Sequence, residues 1–365
     1  MTNVLLVGHS ARAHAIAEAF NKNKAVKLYS FMKSKNPGIA LLSEDVLIGS
    51  YSDLESIKEF AKKNKIDFAF IGPEDPLNDG VVDALQEIGI ASVGPTQSLA
   101  KLETSKSFTR DLLKKYDIDG NPKFNVFNNN NLNEINDFLN ELNEVVIKPD
   151  GLTGGKGVRV QGDHFNTKEE ALDYCKEVLE THESVIVEEK LDGEEFSLQC
   201  LTDGKAVIMT PPVQDHKRAY ENDVGPNTGG MGSYSSENHL LPFLKKEHVD
   251  AALEITRKVA DAIHEETSEY YKGVMYGGFI LTKEGVKLIE YNARFGDPEA
   301  MNVLPLLKTD FASICQSIIV QELDRVKVEF EKKATVCKYI VPKGYPDKPV
   351  KNEIVKVTKQ KKAKM

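Results

Sequence analysis

An apolar run that ends on a lysine, Val146-Ile147-Lys148-Pro149, and then turns through Asp150-Gly151-Leu152-Thr153-Gly154-Gly155-Lys156-Gly157 carries the strongest chemical signal in the chain. Glycine tolerates positive φ and close backbone approach, so consecutive N–H groups in such a turn can converge on phosphate oxygens. A P-loop is excluded. The interval from Gly151 to Gly155 is one residue short, and Gly157 stands where Ser or Thr would follow the lysine. A flexible hairpin turn is the plainer reading, but two lysines bracketing so many glycines favour phosphate.

A second group is Leu288-Ile289-Glu290-Tyr291-Asn292-Ala293-Arg294-Phe295-Gly296-Asp297-Pro298-Glu299. Strand alternation predicts Leu288, Glu290 and Asn292 on one face. Glu290 and Asn292 then offer adjacent oxygen ligands of the kind Mg²⁺ takes when nucleotide phosphates complete its shell. If the strand persists, Arg294 follows on the same side, placed to neutralise a transferring phosphoryl group. A structural salt-bridge network is the alternative.

Two weaker segments flank these. Val185-Ile186-Val187-Glu188-Glu189 is an apolar strand ending in paired acids, before a short loop that leads to Glu194-Glu195. Its backbone can bond a base, and a nearby carboxylate can accept from ribose hydroxyls; an acidic strand end is also what simple exposure produces. Gln214-Asp215-His216-Lys217-Arg218 followed by Gly225-Pro226-Asn227-Thr228-Gly229-Gly230-Met231-Gly232 reads as a polar, glycine-rich substrate loop, with a disordered linker as the alternative. No Ser/His/Asp or Cys/His arrangement points to a protein nucleophile.

The elements that must position these residues follow from periodicity. Residues 4–7, 68–71 and 91–93 read as strands and 11–20 and 81–88 as helices, an alternation that predicts a parallel α/β sheet. Polar turns begin at Gly8, Gly72 and Gly94, beyond the strand ends where such sheets bind ligands. Residues 98–116 read as one helix with Leu99, Leu102 and Leu113 on its apolar stripe. Lys106 falls inside that stripe, where it either snorkels to water or faces a buried anion. After the polar 128–131 run an α+β pattern starts near Val145, with strands at 145–148, 185–189, 196–201 and 287–292. Strand-like runs at 335–341 and 353–357 close the chain before a lysine-rich tail.

With 365 residues, 41% hydrophobic and 28% charged, the chain has the composition of a multidomain globular protein. A net charge of −9 argues against nucleic acid as a partner, and no apolar run spans a membrane. Cys175, Cys200, Cys315 and Cys337 lie too far apart for a zinc site or a disulfide scaffold. The expected compartment is the cytoplasm.

Taken together, Gly72-Pro73-Glu74, Gln214-Asp215-His216-Lys217-Arg218, the 225–232 segment and Arg294-Phe295-Gly296-Asp297-Pro298-Glu299 resemble the phosphoribosylamine–glycine ligase family of ATP-grasp enzymes. The resemblance implies an N-terminal parallel α/β domain (1–97), an ATP-grasp domain of two α+β lobes (98–333) and a shortened C-terminal segment (334–365). It implies Lys106 and Lys148 on the phosphates of ATP, under a turn containing Gly151, Gly154, Gly155 and Gly157. Glu188 and Glu189 would lie at the adenine hinge, with Glu195 on the ribose. Glu290 and Asn292 would hold Mg²⁺ or Mn²⁺. Gly8, Glu74, Asp215, Asn227, Thr228, Asp297 and Glu299 would surround the substrates, glycine and 5-phosphoribosylamine. An ATP-binding protein of the same fold that does not complete ligation is the rival expectation.

Overall fold

The computed structural model describes residues 1–128, 131–152, 157–222, 224–351 and 353–354. The first five strands, β1 (Thr2–Val7), β2 (Val26–Met32), β3 (Ser43–Ile48), β4 (Phe68–Ile71) and β5 (Ala91–Val93), form a parallel sheet in the order β3-β2-β1-β4-β5. Alternation along β1 supplies two cores at once: Leu5 and Val7 join one, Val4 and Leu6 the other. A strand buried on both faces must be apolar throughout, which is why its last four residues are. Within this sheet, β2 and β3 are the strands that periodicity did not expose.

The next lobe contains β6 (Phe124–Phe127), β7 (Val145–Pro149), β8 (Arg159–Val160) and β9 (Val185–Glu189), in the order β6-β9-β7-β8. The helices Leu132–Glu141 and Lys168–Leu179 cover one face and share with it a separate core that includes Ile135, Leu139, Val145, Ile147, Cys175, Val185 and Val187. The second lobe follows with β10 (Glu194–Thr202), β11 (Val207–Met209), β12 (Gln214–Tyr220), β13 (Val224–Ser235), β14 (Gly273–Thr282) and β15 (Gly285–Asn292). An antiparallel sheet, β11-β10-β14-β15, packs on the 22-residue Lys246–Thr267 helix through Leu253, Val259, Ile263, Phe279 and Leu288. β16 (Thr335–Lys338) adds to the β12–β13 ribbon. The expected combination of a parallel α/β sheet and α+β lobes is therefore present.

Two local expectations change. The 98–116 segment is two helices, Lys101–Thr104 and Lys106–Lys115, broken at Ser105, whose side chain caps the second by accepting from Phe108 N–H. The 225–232 segment is not a loop but part of strand β13; irregular register against β12 absorbs its glycines. The 353–357 run and the lysine tail lie wholly or partly outside the described residues. Among those described, no helix is long and apolar enough to cross a membrane, and all four cysteines are free.

Candidate active site

In β7, Val145 and Ile147 enter the lobe core, so alternation turns Val146 and Lys148 to the opposite face. In β9, Val185 and Val187 do the same and leave Ile186 and Glu188 beside Lys148. The Lys148 ammonium lies 2.8 Å from the Glu188 carboxylate, and both side chains are almost fully buried. Burial would raise the Glu188 acid, but Arg110 and Lys148 outweigh it and bring it down to about 2. Arg110, only 2% exposed, donates to Glu188 at 2.6 and 3.0 Å. Its remaining N–H groups reach the Leu288 and Ile289 carbonyls at 3.0 and 2.6 Å. One guanidinium thus joins the first lobe to the edge strand of the second.

Those carbonyls mark a β-bulge. Gly278 pairs with Glu290 but Phe279 pairs with Leu288, which leaves Ile289 as the extra residue. The bulge resets the alternation, so Leu288 and Tyr291 both enter the core while Glu290 and Asn292 stay half-buried outside it. The predicted common face of Leu288, Glu290 and Asn292 is therefore corrected: Leu288 is on the other side. No described residue donates a hydrogen bond to the Glu290 carboxylate. Burial raises its acid, but Lys217, Lys148, Lys106 and Arg294 together hold it below the ordinary carboxylate value. Glu290 thus stays ionised among four cations, most of them also paired with other carboxylates, so it faces groups able to turn to a polyphosphate.

Lys106 opens its helix. Its backbone N–H donates to Asp150 at 2.7 Å, and its ammonium donates to the Gly151 carbonyl at 2.7 Å. Asp150 also accepts from the N–H groups of Ser107 and Gly151 and from the Ser105 and Ser107 hydroxyls. Burial opposes the Asp150 charge, but these donors, Ser107 first, keep it below its usual value. Burial also lowers Lys106, partly offset by Glu290. Of the predicted turn, Gly151 has φ +100° and Gly157 accepts from the Tyr174 hydroxyl. Gly154 and Gly155 lie outside the described residues. Glu189 accepts from Lys123 N–H. The Glu188 carboxylate is occupied by its cations and its backbone lies in the ladder between β6 and β7, so a base would meet the chain beyond it.

Arg294 does not extend the β15 face. The strand ends at Asn292, Ala293 N–H donates to Glu103, and the Arg294 guanidinium lies 3.1 Å from Glu74 and 2.9 Å from Glu103. Burial works against its charge, but Glu103 and Glu74 keep it firmly cationic. Glu74 also pairs with Arg12 at 3.1 Å, and Arg12 donates to the Phe295 carbonyl at 2.6 Å. Asp297 accepts from Arg12 backbone N–H at 3.1 Å. Gly8 sits at the end of β1 with φ +151°, where a Cβ would stand 3.1 Å from Pro73 Cδ. The turns after β1 and β4 therefore meet the turn after β15 through an alternating Arg12–Glu74–Arg294–Glu103 chain.

The β12–β13 ribbon brings the remaining candidates. Lys217 lies 3.5 Å from Glu195 and 3.9 Å from Asp215, and Asp215 foremost raises its ammonium above the usual value. Glu299 is buried and accepts from the Tyr276 hydroxyl at 2.8 Å. Burial and the Asp215 carboxylate push its acid up to about 7. The Thr228 hydroxyl ties β13 to the Lys217 carbonyl at 2.9 Å, whereas Asn227 is exposed.

Periodicity and motif assign no role to Lys217, Arg12, Glu103, Arg110, Asp150 or Tyr276. A charged residue on an otherwise apolar helical stripe, as at Arg110 between Leu102 and Leu113, was the available signal. Among the described residues no three His, Cys, Asp or Glu side chains form a metal cage. The carboxylate of Glu290 and the amide oxygen of Asn292, neither engaged by a described side chain, still fit a hard divalent cation whose other ligands come from phosphates.

Comparison with known proteins matches residues 2–103 to the N domain of phosphoribosylglycinamide synthetase and 104–300 to its ATP-grasp (A) domain. Phosphoribosylamine–glycine ligase of Methanocaldococcus jannaschii is 52% identical over 364 residues, covering 98% of this chain and 82% of the relative. The crystal structure of the Thermotoga maritima phosphoribosylamine–glycine ligase superposes with a TM-score of 0.78 at 26% identity, over 96% of this chain and 83% of that one. N5-carboxyaminoimidazole synthetase from Staphylococcus aureus, solved with ADP, shares the fold at 13% identity, with a TM-score of 0.69 and coverage of 93% and 82%.

Proposed function

The chain belongs to the phosphoribosylamine–glycine ligase family, and on that premise we propose how its residues join glycine to 5-phosphoribosylamine, with ATP converted to ADP and phosphate. The observation that carries this reading is that buried Lys148, 2.8 Å from Glu188, and Lys106, on the Gly151 carbonyl, lie in the same pocket as Glu290, whose carboxylate no described residue bonds. Lys106 and Lys148 bind the nucleotide phosphates beside Gly151, the β9 end offers its backbone to adenine, and Glu195 accepts from ribose. Glu290 and Asn292 would hold Mg²⁺ or Mn²⁺, which when bound neutralises phosphate charge.

Glycine's carboxylate attacks the γ-phosphorus, the bond to ADP breaks, and glycyl phosphate forms. Arg294 and the lysines stabilise charge on the transferring group, and the rest is positioning. The amine of 5-phosphoribosylamine then attacks the acyl carbon, loses a proton, and expels phosphate to give glycinamide ribonucleotide. Asp215, Asn227, Thr228, Asp297 and Glu299 line the substrate side, closed by Gly8 and Glu74. In this division residues 1–97 supply the closing face, 98–333 the nucleotide and carboxylate chemistry, and 334–365 an added edge.

The test is ADP release by wild type, Lys148→Ala and Glu290→Ala. Turnover that needs both glycine and freshly generated phosphoribosylamine, and that falls at least about a hundred-fold in both variants, supports the proposal. Wild-type ATP binding without substrate-dependent ADP release would overturn it in favour of a binding protein.

A further inference from the structure

Beyond the matched 2–300 region, β16 lies antiparallel to β13, with Gly232 opposite Lys338 and Ser235 opposite Thr335. Its residues alternate: Val336, Lys338 and Ile340 face out, while Thr335, Cys337 and Tyr339 face in. Tyr339 N–H continues the ladder by donating to the Met231 carbonyl at 3.0 Å. The Tyr339 hydroxyl donates to Asp297 Oδ1, whose partner oxygen Oδ2 accepts from Arg12 N–H.

A single side chain just past the end of β16 therefore meets three separate pieces of the site. It is anchored on the glycine-rich strand, it bonds the carboxylate of the turn after β15, and through that carboxylate it reaches the turn after β1. The approach is close on both sides. Gly230 has φ +132°, and a Cβ there would stand 2.5 Å from Pro298 Cδ. Asn302 ties the same elements together from below, donating to Thr335 Oγ1 at 3.1 Å and to the Ser233 carbonyl at 3.3 Å.

We propose that Tyr339 is a positioning residue for the amine substrate: it fixes Asp297 as an acceptor that recognises the hydroxyl-rich, amine-bearing sugar phosphate and does not act on ATP. With Oδ1 held by Tyr339 and Oδ2 by Arg12 N–H, each oxygen keeps one free lone pair. The carboxylate is presented in one orientation, as a bidentate acceptor for neighbouring sugar hydroxyls or for an amine. The nucleotide residues Lys106, Lys148 and Glu188 make none of these contacts. This inference rests on the function proposed above.

The experiment is steady-state kinetics of the full chain with Tyr339→Phe, varying ATP, glycine and phosphoribosylamine in turn. Phenylalanine keeps the ring and removes only the hydroxyl, so the fold is retained. The expected result is a KM for phosphoribosylamine raised about ten-fold, the scale of one hydrogen bond to a charged group, with KM for ATP and glycine unchanged within two-fold by the same reasoning. An Asp297→Asn variant should raise the same KM, and adding Tyr339→Phe to it should produce little further change. An unchanged phosphoribosylamine KM in Tyr339→Phe, or an equal rise for all three substrates, would overturn the proposal. If the wild type itself shows no glycine-dependent ADP release, the function is refuted instead, so the two failures are distinguishable.

Discussion

Replacing Arg110 with methionine should be among the most damaging single changes in the protein, for reasons the geometry lets one count. Arg110 is 2% exposed and makes two bonds to Glu188 and one each to the Leu288 and Ile289 carbonyls. Removing it leaves Glu188 buried with Lys148 alone and strips the Leu288 carbonyl of its Arg110 donor. An uncompensated buried charge costs about 3–5 kcal/mol; because Glu188 keeps Lys148 at 2.8 Å, the expected loss is about 2–3 kcal/mol, from the charged hydrogen bonds that go with the guanidinium. The change should also draw Lys148 towards Glu188 and loosen the bulge that presents Glu290, raising KM for ATP. Glu188→Gln alone strands both Arg110 and Lys148, whereas pairing it with Arg110→Met leaves only Lys148 without its carboxylate, so the double variant should recover about 2 kcal/mol relative to Glu188→Gln. Urea denaturation of wild type, both singles and the double measures this coupling. A loss below about 1 kcal/mol in Arg110→Met, or no recovery in the double variant, would show that the guanidinium is not the link between the lobes described here.

Two further predictions concern the substrate side. Glu299 has its acid raised to about 7, so the folded state binds a proton more tightly than the unfolded chain and the associated stability, present at low pH, is lost as pH rises towards and through 7. Glu299→Gln, permanently neutral, should match wild type in thermal midpoint at pH 5 and exceed it at pH 8; equal midpoints at both pH values would contradict the assignment. Gly230→Ala places a Cβ 2.5 Å from Pro298 Cδ at φ +132°, which should cost about 1–3 kcal/mol and weaken phosphoribosylamine binding more than ATP binding. Denaturation together with substrate-specific KM values checks both parts.

Much of the candidate site was legible because its charged residues sit at strand ends, and strand ends are where alternation and glycine content speak most clearly. Lys148 is the example: apolar neighbours at 145 and 147 fix its strand, and the strand fixes its face. Glu290 was found for a partly mistaken reason. Plain alternation put it beside Leu288, and only an extra residue at 289 separates them, a feature set by pairing with β14 that local sequence does not encode. Arg294 illustrates the same limit, since its partners Glu74 and Glu103 lie 220 and 191 positions away. The glycine-rich 225–232 segment carries loop composition yet forms a strand, because β12 on one side and β16 on the other satisfy its backbone. Long-range pairing decides such cases, and a local window of sequence contains only half of each pair.

The central claim is that glycine is activated as an acyl phosphate in the pocket around Glu290. Turnover with glycine carrying ¹⁸O in both carboxylate positions, followed by mass analysis of the released phosphate, tests it directly. The account predicts one labelled oxygen in each phosphate and one retained in the product amide. Unlabelled phosphate, with ADP still formed in step with the amide, would contradict it.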